Sequence, residues 1–102
     1  MQIARVIGTV VSTHKTRSLI GVKLLLIQYV DAEGELQDKY EVAGDTVGAG
    51  VNEWVLVTRG SAARQDEGQE KRPLDAMVVG IIDTVTVANG LLYSKKQYEY
   101  PV

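Results

Sequence analysis

The sequence predicts an all-β domain, a small barrel of five strands with one short helix. Three observations support this fold class. Apolar and β-branched residues occur in runs of strand length. Turn-forming residues, mainly Gly, Asp and Ser, separate these runs. The 102 residues contain no linker rich in Pro, Gly and Ser, so we expect one domain with one core.

The first two predicted strands flank a polar loop. Residues 3–11 are rich in Ile and Val, and residues 12–18 form a polar, turn-prone stretch. Residues 22–30 (VKLLLIQYV) form the second strand, which is apolar on both alternating faces. A strand with one face in a core should carry polar residues on the other. This strand is therefore covered on both faces inside the fold, or its second face meets a neighbouring subunit.

The remaining three strands follow turns of different kinds. Residues 31–35 place Asp31 and Gly34 where a hairpin needs a turn, so residues 36–43 are predicted to pair back on the second strand. Residues 54–58 form a fourth strand. Residues 78–87 (VVGIIDTVTV) form the fifth and longest, because they are dense in β-branched residues.

One short helix is predicted between the fourth and fifth strands. Ser61 is a suitable cap for residues 61–65, and Ala62 and Ala63 favour a helical turn. The charged residues 66–72, bounded by Pro73, indicate a surface loop. Five short strands with one brief helix are comparable in plan to an OB-fold.

Composition limits the classes of function. Eleven Lys and Arg against thirteen Asp and Glu give a net charge of -2, which lacks the basic excess of a nucleic-acid-binding surface. The chain has no Cys, which excludes disulfides, a thiolate nucleophile and sulfur-ligated zinc. Arg5 interrupts any signal-peptide core, and no uncharged stretch approaches the ~20 residues that span a bilayer. We expect an intracellular protein without a membrane partner, and its 45% hydrophobic content favours self-association.

Residues 44–50 (GDTVGAG) superficially resemble a phosphate-binding loop. They lack the Gly-Lys-Ser/Thr ending and a following helix, so phosphate binding is disfavoured. We interpret the segment as a tight connection in which glycines permit positive φ or a close backbone approach, including an approach to another subunit.

No catalytic or metal-binding constellation can be assembled from the sequence. His14 is the sole histidine, and the positive charges of Lys15 and Arg17 beside it oppose a bound cation. Ser61 has no nucleophile-elbow pattern around it and is better explained as a cap. We therefore expect a protein that is not an enzyme and that needs no metal or other cofactor.

Three carboxylates adjoin the apolar strands: Asp45, Asp75 and Asp83. Although a pair of them could in principle perform acid–base chemistry, carboxylates at strand ends more often accept backbone hydrogen bonds or pair with arginine. Arg59 and Arg64 are the candidates for such pairing.

An OB-like nucleic-acid-binding module is the alternative function. Such a module needs aromatic platforms in a basic groove. The chain has no Phe and one Trp, and three of its five tyrosines, Tyr93, Tyr98 and Tyr100, lie near the C-terminus. Chain ends are commonly mobile, so this group of tyrosines gives little support to the alternative.

Several segments, taken in order, resemble the bacterial microcompartment vertex proteins. The segments are residues 8–13 (GTVVST), 21–25 (GVKLL), 47–50 (VGAG), 53–57 (EWVLV), 60–64 (GSAAR) and 75–85 (DAMVVGIIDTV). The resemblance extends from residue 1 to about residue 93 without large gaps. Residues 52–54 (NEW) and 72–75 (RPLD) are most similar to the carboxysome branch.

The resemblance implies a non-enzymatic shell protein built as a five-stranded barrel. Such proteins form cyclic homopentamers at the vertices of a polyhedral shell in the cytoplasm, here that of the carboxysome used in CO2 fixation. Their neighbours are hexameric shell proteins, since a flat net of hexamers closes only where pentamers replace hexamers. The same resemblance implies a vertex-protein domain over residues 1–93 and a variable tail over residues 94–102.

It also implies which residues lie at the subunit interface or the five-fold axis. Gly60, Ser61 and Ala62 are expected near the axis. Arg64, Asp75 and Asp83 are expected at the interface or in packing contacts, and Gly48 and Gly50 are expected to permit close approach of two subunits.

Overall fold

A computed structural model describes residues 1–13, 15–60 and 74–96 of the chain. These residues include seven strands and one 3-10 turn. The turn is Arg17–Leu19, and the strands are β1 (Gln2–Val10), β2 (Lys23–Val30), β3 (Leu36–Asp45), β4 (Trp54–Arg59), β5 (Ala76–Ile81), β6 (Thr84–Val87) and β7 (Gly90–Ser94).

Five of these strands form the predicted barrel, which is closed in the order β1-β2-β3-β5-β4. All neighbours are antiparallel except β3 and β5, which run parallel and pair only Gly44 with Met77 and Asp45 with Val78. The barrel closes between β3 and β5 through these two pairs alone, so among the residues described, 36–43 of β3 keep one unpaired edge. The prediction of a five-stranded barrel is confirmed.

The barrel interior is filled by the alternate side chains of every strand. Leu25, Ile27, Val55, Val57 and Val78 are completely buried there. Burial of each such side chain contributes roughly 1.5–3 kcal/mol, so these strands are held together chiefly by the shared core. Ala49, from the connection between β3 and β4, joins the same core.

Two further apolar clusters lie outside the barrel interior and explain much of the doubly apolar pattern of β2. Leu24 packs with Leu74 and Met77 in one cluster. Val30 packs with Trp54, Ile82 and Tyr93 in the other. Thus Leu24 and Val30 are covered by the chain itself, which is the first of the two explanations offered by the sequence. Leu26 remains half-buried.

The prediction of one long strand over residues 78–87 is wrong. The segment bends at Ile82 and Asp83, which separate β5 from β6. Ile82 still donates its N–H to the carbonyl of Trp54 at 2.9 Å, but Trp54 is the first residue of β4. Beyond this point β4 offers no residue for pairing, so the chain leaves the barrel. β6 instead pairs with β7 in a separate two-stranded sheet.

The predicted hairpin between β2 and β3 is confirmed. The N–H of Gly34 donates to the carbonyl of Asp31 at 3.1 Å, and Gly34 has a φ of 83°. The Asp31 carboxylate accepts hydrogen bonds from the N–H groups of Glu33 and Glu35. A side chain that bonds its own turn in this way stabilises the reversal locally.

The remaining sequence predictions concern loops. The polar stretch 12–18 was expected to be an irregular loop, but its last two residues belong to the 3-10 turn Arg17–Leu19. The predicted helix at residues 61–65 and the charged loop at 66–72 lie outside the described residues. In the part of the chain that is described, no helix is long and apolar enough to cross a membrane.

Candidate assembly surface

The connection between β3 and β4 is organised by one buried carboxylate. The Asp45 side chain is fully buried and accepts hydrogen bonds from the N–H groups of Val47 (3.0 Å), Gly48 (3.1 Å) and Ala49 (2.9 Å). The Lys23 ammonium lies 3.5 Å from the same carboxylate and donates to the Ala49 carbonyl at 3.1 Å. Asp45 therefore fulfils the expectation that a strand-end carboxylate accepts backbone hydrogen bonds.

Gly48 and Gly50 serve this connection in different ways. Gly48 has a φ of 79°, which favours glycine, and a Cβ added to it would meet no atom within 4 Å. Gly50 donates its N–H to Oε1 of Glu53 at 2.6 Å, and a Cβ there would lie 3.3 Å from that oxygen. Positive φ, expected as one reason for these glycines, is confirmed at Gly48.

Glu53 links this connection to the end of β7. Its Oε2 lies 3.0 Å from the Lys95 ammonium, while Oε1 accepts the Gly50 N–H. Burial opposes ionisation of Glu53, but the Gly50 N–H and the positive charge of Lys95 outweigh it, so the pKa of Glu53 lies below its ordinary value. The ionised carboxylate holds two segments together that are far apart in sequence.

The other predicted interface residues fall in two places. Gly60, with a φ of 66°, donates its N–H to the carbonyl of Asp75 at 2.9 Å, so these two residues are close together. Asp83 is exposed at the bend between β5 and β6, where its carbonyl accepts the Lys95 N–H at 2.8 Å. Ser61, Ala62 and Arg64 lie outside the described residues.

Arg59 forms an ion pair that the sequence analysis did not anticipate. The expected partners were aspartates, but the guanidinium contacts both oxygens of Glu41, at 3.0 Å from Nε and 3.1 Å from Nη2. Two parallel contacts of this kind fix the orientation of both side chains. The pair joins β3 to β4 where β5 begins, since Arg59 pairs with Ala76, the first residue of β5. Glu41 lies in the interior of β3, so a sequence argument based on strand ends missed it.

Tyr29 extends this pair into the end of the barrel. Its buried hydroxyl donates to Glu41, and the ring lies beneath the Lys39 ammonium at 4.8 Å. Burial, and then the Glu41 carboxylate, raise the pKa of Tyr29. Burial alone would raise the pKa of Glu41, but the Tyr29 hydroxyl and Arg59 outweigh it and lower that pKa. The contacts with Glu41 raise the pKa of Arg59.

Tyr93 is a structural residue that the sequence analysis missed. Its ring stacks on Trp54 with centroids 4.3 Å apart and an interplanar angle of 14°. Both side chains are buried, Tyr93 to 1% exposure. The sequence feature that could have identified it is Asn89-Gly90 between two apolar runs. This dipeptide strongly predicts a hairpin turn, which would place Tyr93 on the following strand.

Metal binding and base stacking find little support in the described residues. Within residues 1–13, 15–60 and 74–96, no group of three or more acidic or histidine side chains could hold a metal ion. His14 lies outside these residues. The buried Trp54, Tyr29 and Tyr93 rings are unavailable for stacking on bases, which removes much of the basis for an OB-like nucleic-acid-binding function.

Comparison with protein families supplies the decisive observation. Residues 1–83 match the family described as ethanolamine utilisation protein EutN/carboxysome, and this range includes all five barrel strands. The chain belongs to this family. Within the EutN/carboxysome family, a carboxysome shell vertex protein, CcmL, from Synechocystis is 68% identical over 96 residues. That alignment covers 94% of this chain and 96% of the relative.

A vertex protein of another microcompartment, PduN of Salmonella typhimurium, is 51% identical over 90 residues, covering 84% of this chain and 99% of that protein. A solved structure of the carboxysome subunit CcmL has a TM-score of 0.89 at 68% identity, covering 93% of this chain and 99% of its own. The pentameric microcompartment shell protein GrpN from Rhodospirillum rubrum has a TM-score of 0.77 at 45% identity. This match covers 87% of this chain and 100% of GrpN. The chain is a structural shell protein of the EutN/carboxysome family rather than an enzyme.

Proposed function

We propose that the chain assembles as a homopentamer that closes the vertices of the carboxysome shell. The observation that carries the carboxysome assignment is its identity of 68% to a carboxysome vertex protein, against 51% to the vertex protein PduN. Its structural similarity to GrpN, which is described as pentameric, supports five-fold assembly. The work of such a protein is geometric, since it requires neither turnover nor a cofactor.

Five-fold symmetry supplies the curvature that a closed shell needs. A flat sheet of hexamers becomes a closed polyhedron when pentamers occupy its corners. We therefore propose hexameric shell proteins as the second partner of the chain, with the pentamer surrounded by five of them. The location that follows is the carboxysome shell within the cytoplasm.

The residues proposed for the interface or the five-fold axis are those that the family resemblance implied. The set consists of Gly48, Gly50, Gly60, Ser61, Ala62, Arg64, Asp75 and Asp83. Support comes from Gly48, where the space beside the backbone is open to a neighbour. Gly60 and Asp75 lie next to each other, since the Gly60 N–H donates to the Asp75 carbonyl, so the two would reach an interface together. We retain residues 1–93 as the vertex domain and 94–102 as its variable tail.

Native mass spectrometry tests the assembly directly. Five copies of the 11.1 kDa chain should give a species at 5 × 11.1 = 55.5 kDa. A monomer or dimer at all concentrations would contradict the proposed function. A Synechocystis strain that lacks its own vertex protein provides the cellular test, since the chain should restore closed shells there.

Gly48→Val tests the interface residues in the same assay. Valine at φ 79° is strained, so the matched control is Gly21→Val, where φ is 83° and the space beside the backbone is equally open. We expect Gly21→Val to remain pentameric and Gly48→Val to lose the ring. Equal behaviour of the two variants would remove Gly48 from the interface.

A further inference from the structure

Three apolar areas lie on the outer side of the barrel strands, and the chain covers two of them. Leu24 and Met77 are covered by Leu74 and Leu19. Trp54 is covered by the β6–β7 hairpin through Tyr93. The third area lies on the middle of β2 and β3, where Tyr40 and Val42 are exposed.

This third area, which we call the β3 strip, consists of Leu26, Tyr40 and Val42. Val42 pairs with Leu26 and Tyr40 pairs with Gln28, so these side chains share the face opposite the barrel core. Leu26 is half-buried, whereas Val42 is 40% and Tyr40 is 55% exposed. Exposed apolar side chains grouped on one strand pair are typical of a protein contact.

The edge of β3 is also open along most of its length. β3 pairs with β2 from Leu36 to Asp45, but on its other side β5 pairs only with Gly44 and Asp45. Residues 36–43 therefore have a strand partner on one side only, within the described part of the chain. An open edge presents backbone N–H and C=O groups to another chain, so it reinforces the β3 strip as a contact surface.

A second exposed surface lies on the opposite side of the barrel. In the order β1-β2-β3-β5-β4, the seam between β4 and β1 is opposite β3. β1 pairs with β4 only from Gln2 to Arg5, so the later residues of β1 are uncovered by β4. Here Gly8 leaves open space above its backbone.

The connection that carries Val47 and Val51 reaches the same seam, because the N–H of Asn52 donates to the Val6 carbonyl at 2.7 Å. Both valines are exposed. We call Gly8, Val47 and Val51 the seam surface. It combines a glycine that has open space beside its backbone with two exposed valines from the connection that Asp45 holds at Val47 and Ala49.

We infer that the β3 strip of one copy packs against the seam surface of the next copy. This inference rests on the proposed pentamer. A ring with five-fold symmetry has a heterologous interface, in which each subunit contributes two different surfaces to its two neighbours. The β3 strip and the seam surface lie on opposite sides of the barrel, and a ring of copies would remove the exposed apolar side chains of both from water. The partner is therefore a second copy of this chain.

Val42→Asp tests the β3 strip, with Val87→Asp as its matched control. Both residues are strand valines, 40% and 39% exposed, but Val87 lies in the β6–β7 hairpin. In native mass spectrometry the control should remain at 5 × 11.1 = 55.5 kDa and Val42→Asp should lose that species. Tyr40→Asp, on the same strip, replaces Val42→Asp if circular dichroism shows that the latter does not fold.

A mixing experiment tests the pairing of the two surfaces. Val51→Asp damages the seam surface and leaves the β3 strip intact, so alone it should also be monomeric. Mixed with Val42→Asp, each chain supplies one intact surface, and the mixture should form a dimer of 2 × 11.1 = 22.2 kDa but no ring. This result is specific to a head-to-tail contact between different surfaces.

The outcomes separate this inference from the proposed function. A wild-type chain that is not pentameric contradicts the proposed function. A pentameric wild type whose folded Val42→Asp and Tyr40→Asp variants also form pentamers overturns the interface alone. A mixture that contains only monomers overturns the pairing of the β3 strip with the seam surface.

Discussion

At the scale of single residues, buried aromatic side chains and partly exposed charged side chains join segments that are far apart in the sequence. Tyr93 stacks on Trp54 across 39 positions. Glu41 and Arg59 are 18 positions apart and make two parallel contacts. Composition predicted none of these pairs, because any Tyr or Glu is compatible with an exposed position until the strand register is known. The register is set by the barrel core, and the pairs follow from it.

Tyr93→Ala should destabilise the fold strongly. The substitution removes a buried ring and leaves a cavity beside Trp54, and comparable truncations cost about 3–5 kcal/mol. Thermal unfolding at a fixed protein concentration, followed by Trp54 fluorescence, measures the loss. Leu91→Ala, an exposed position on the same strand, is the control and should change stability by less than about 0.5 kcal/mol. Similar losses in both variants would show that the stacked pair does not stabilise the chain.

At the scale of elements, the positions of the barrel strands were predictable, their ends were less so, and β7 was missed. The hairpin between β2 and β3 follows from Asp31 and Gly34, whose preferences act within a few residues. The division of residues 78–87 into β5 and β6 was not predictable, since it depends on where β4 begins. β-branched residues favour a strand on either side of Ile82 and Asp83. The bend depends on the partner strand, and local residue preferences carry no information about where that strand begins.

Acid should loosen the contact between the β3–β4 connection and the end of β7. The pKa of Glu53 is lower in the folded chain than its ordinary value of 4.5, so the unfolded chain binds more protons as pH falls below that value. The stabilisation is present above pH 4.5 and is lost as pH falls through the folded pKa. Glu53→Gln should therefore be less stable than wild type at neutral pH.

The same variant should lose less stability than wild type on acidification. Thermal midpoints measured from pH 6 to pH 3 provide the comparison, and Glu33→Gln, an exposed glutamate in the β2–β3 turn, is the control. Glu41 also has a lowered pKa and contributes in the same range, so Glu53→Gln should reduce the pH dependence without abolishing it. An unchanged pH dependence in Glu53→Gln would exclude this carboxylate as a source of acid sensitivity.

At the scale of the whole molecule, a small barrel leaves apolar side chains exposed that the proposed ring would cover. A domain of 102 residues buries a modest share of its surface, and this chain leaves apolar side chains exposed on β3 and on the β3–β4 connection. The sequence indicated this through its hydrophobic content and the second face of β2. It did not indicate which surface remains uncovered, because Leu24 and Leu26 occupy equivalent positions in the sequence pattern and differ only in what packs over them.

Assembly should therefore appear as a dependence of thermal stability on protein concentration. A ring that forms only from folded chains stabilises the folded state by mass action, so the thermal midpoint should rise as the concentration is increased. Val42→Asp, which should remain monomeric, is expected to unfold at a midpoint that is independent of concentration. Val87→Asp should retain the wild-type dependence, because the hairpin lies outside both proposed surfaces. The concentrations should span a hundredfold range and extend below the concentration at which the ring dissociates. A wild-type midpoint that stays constant over this range would mean that folding and assembly are uncoupled in this chain.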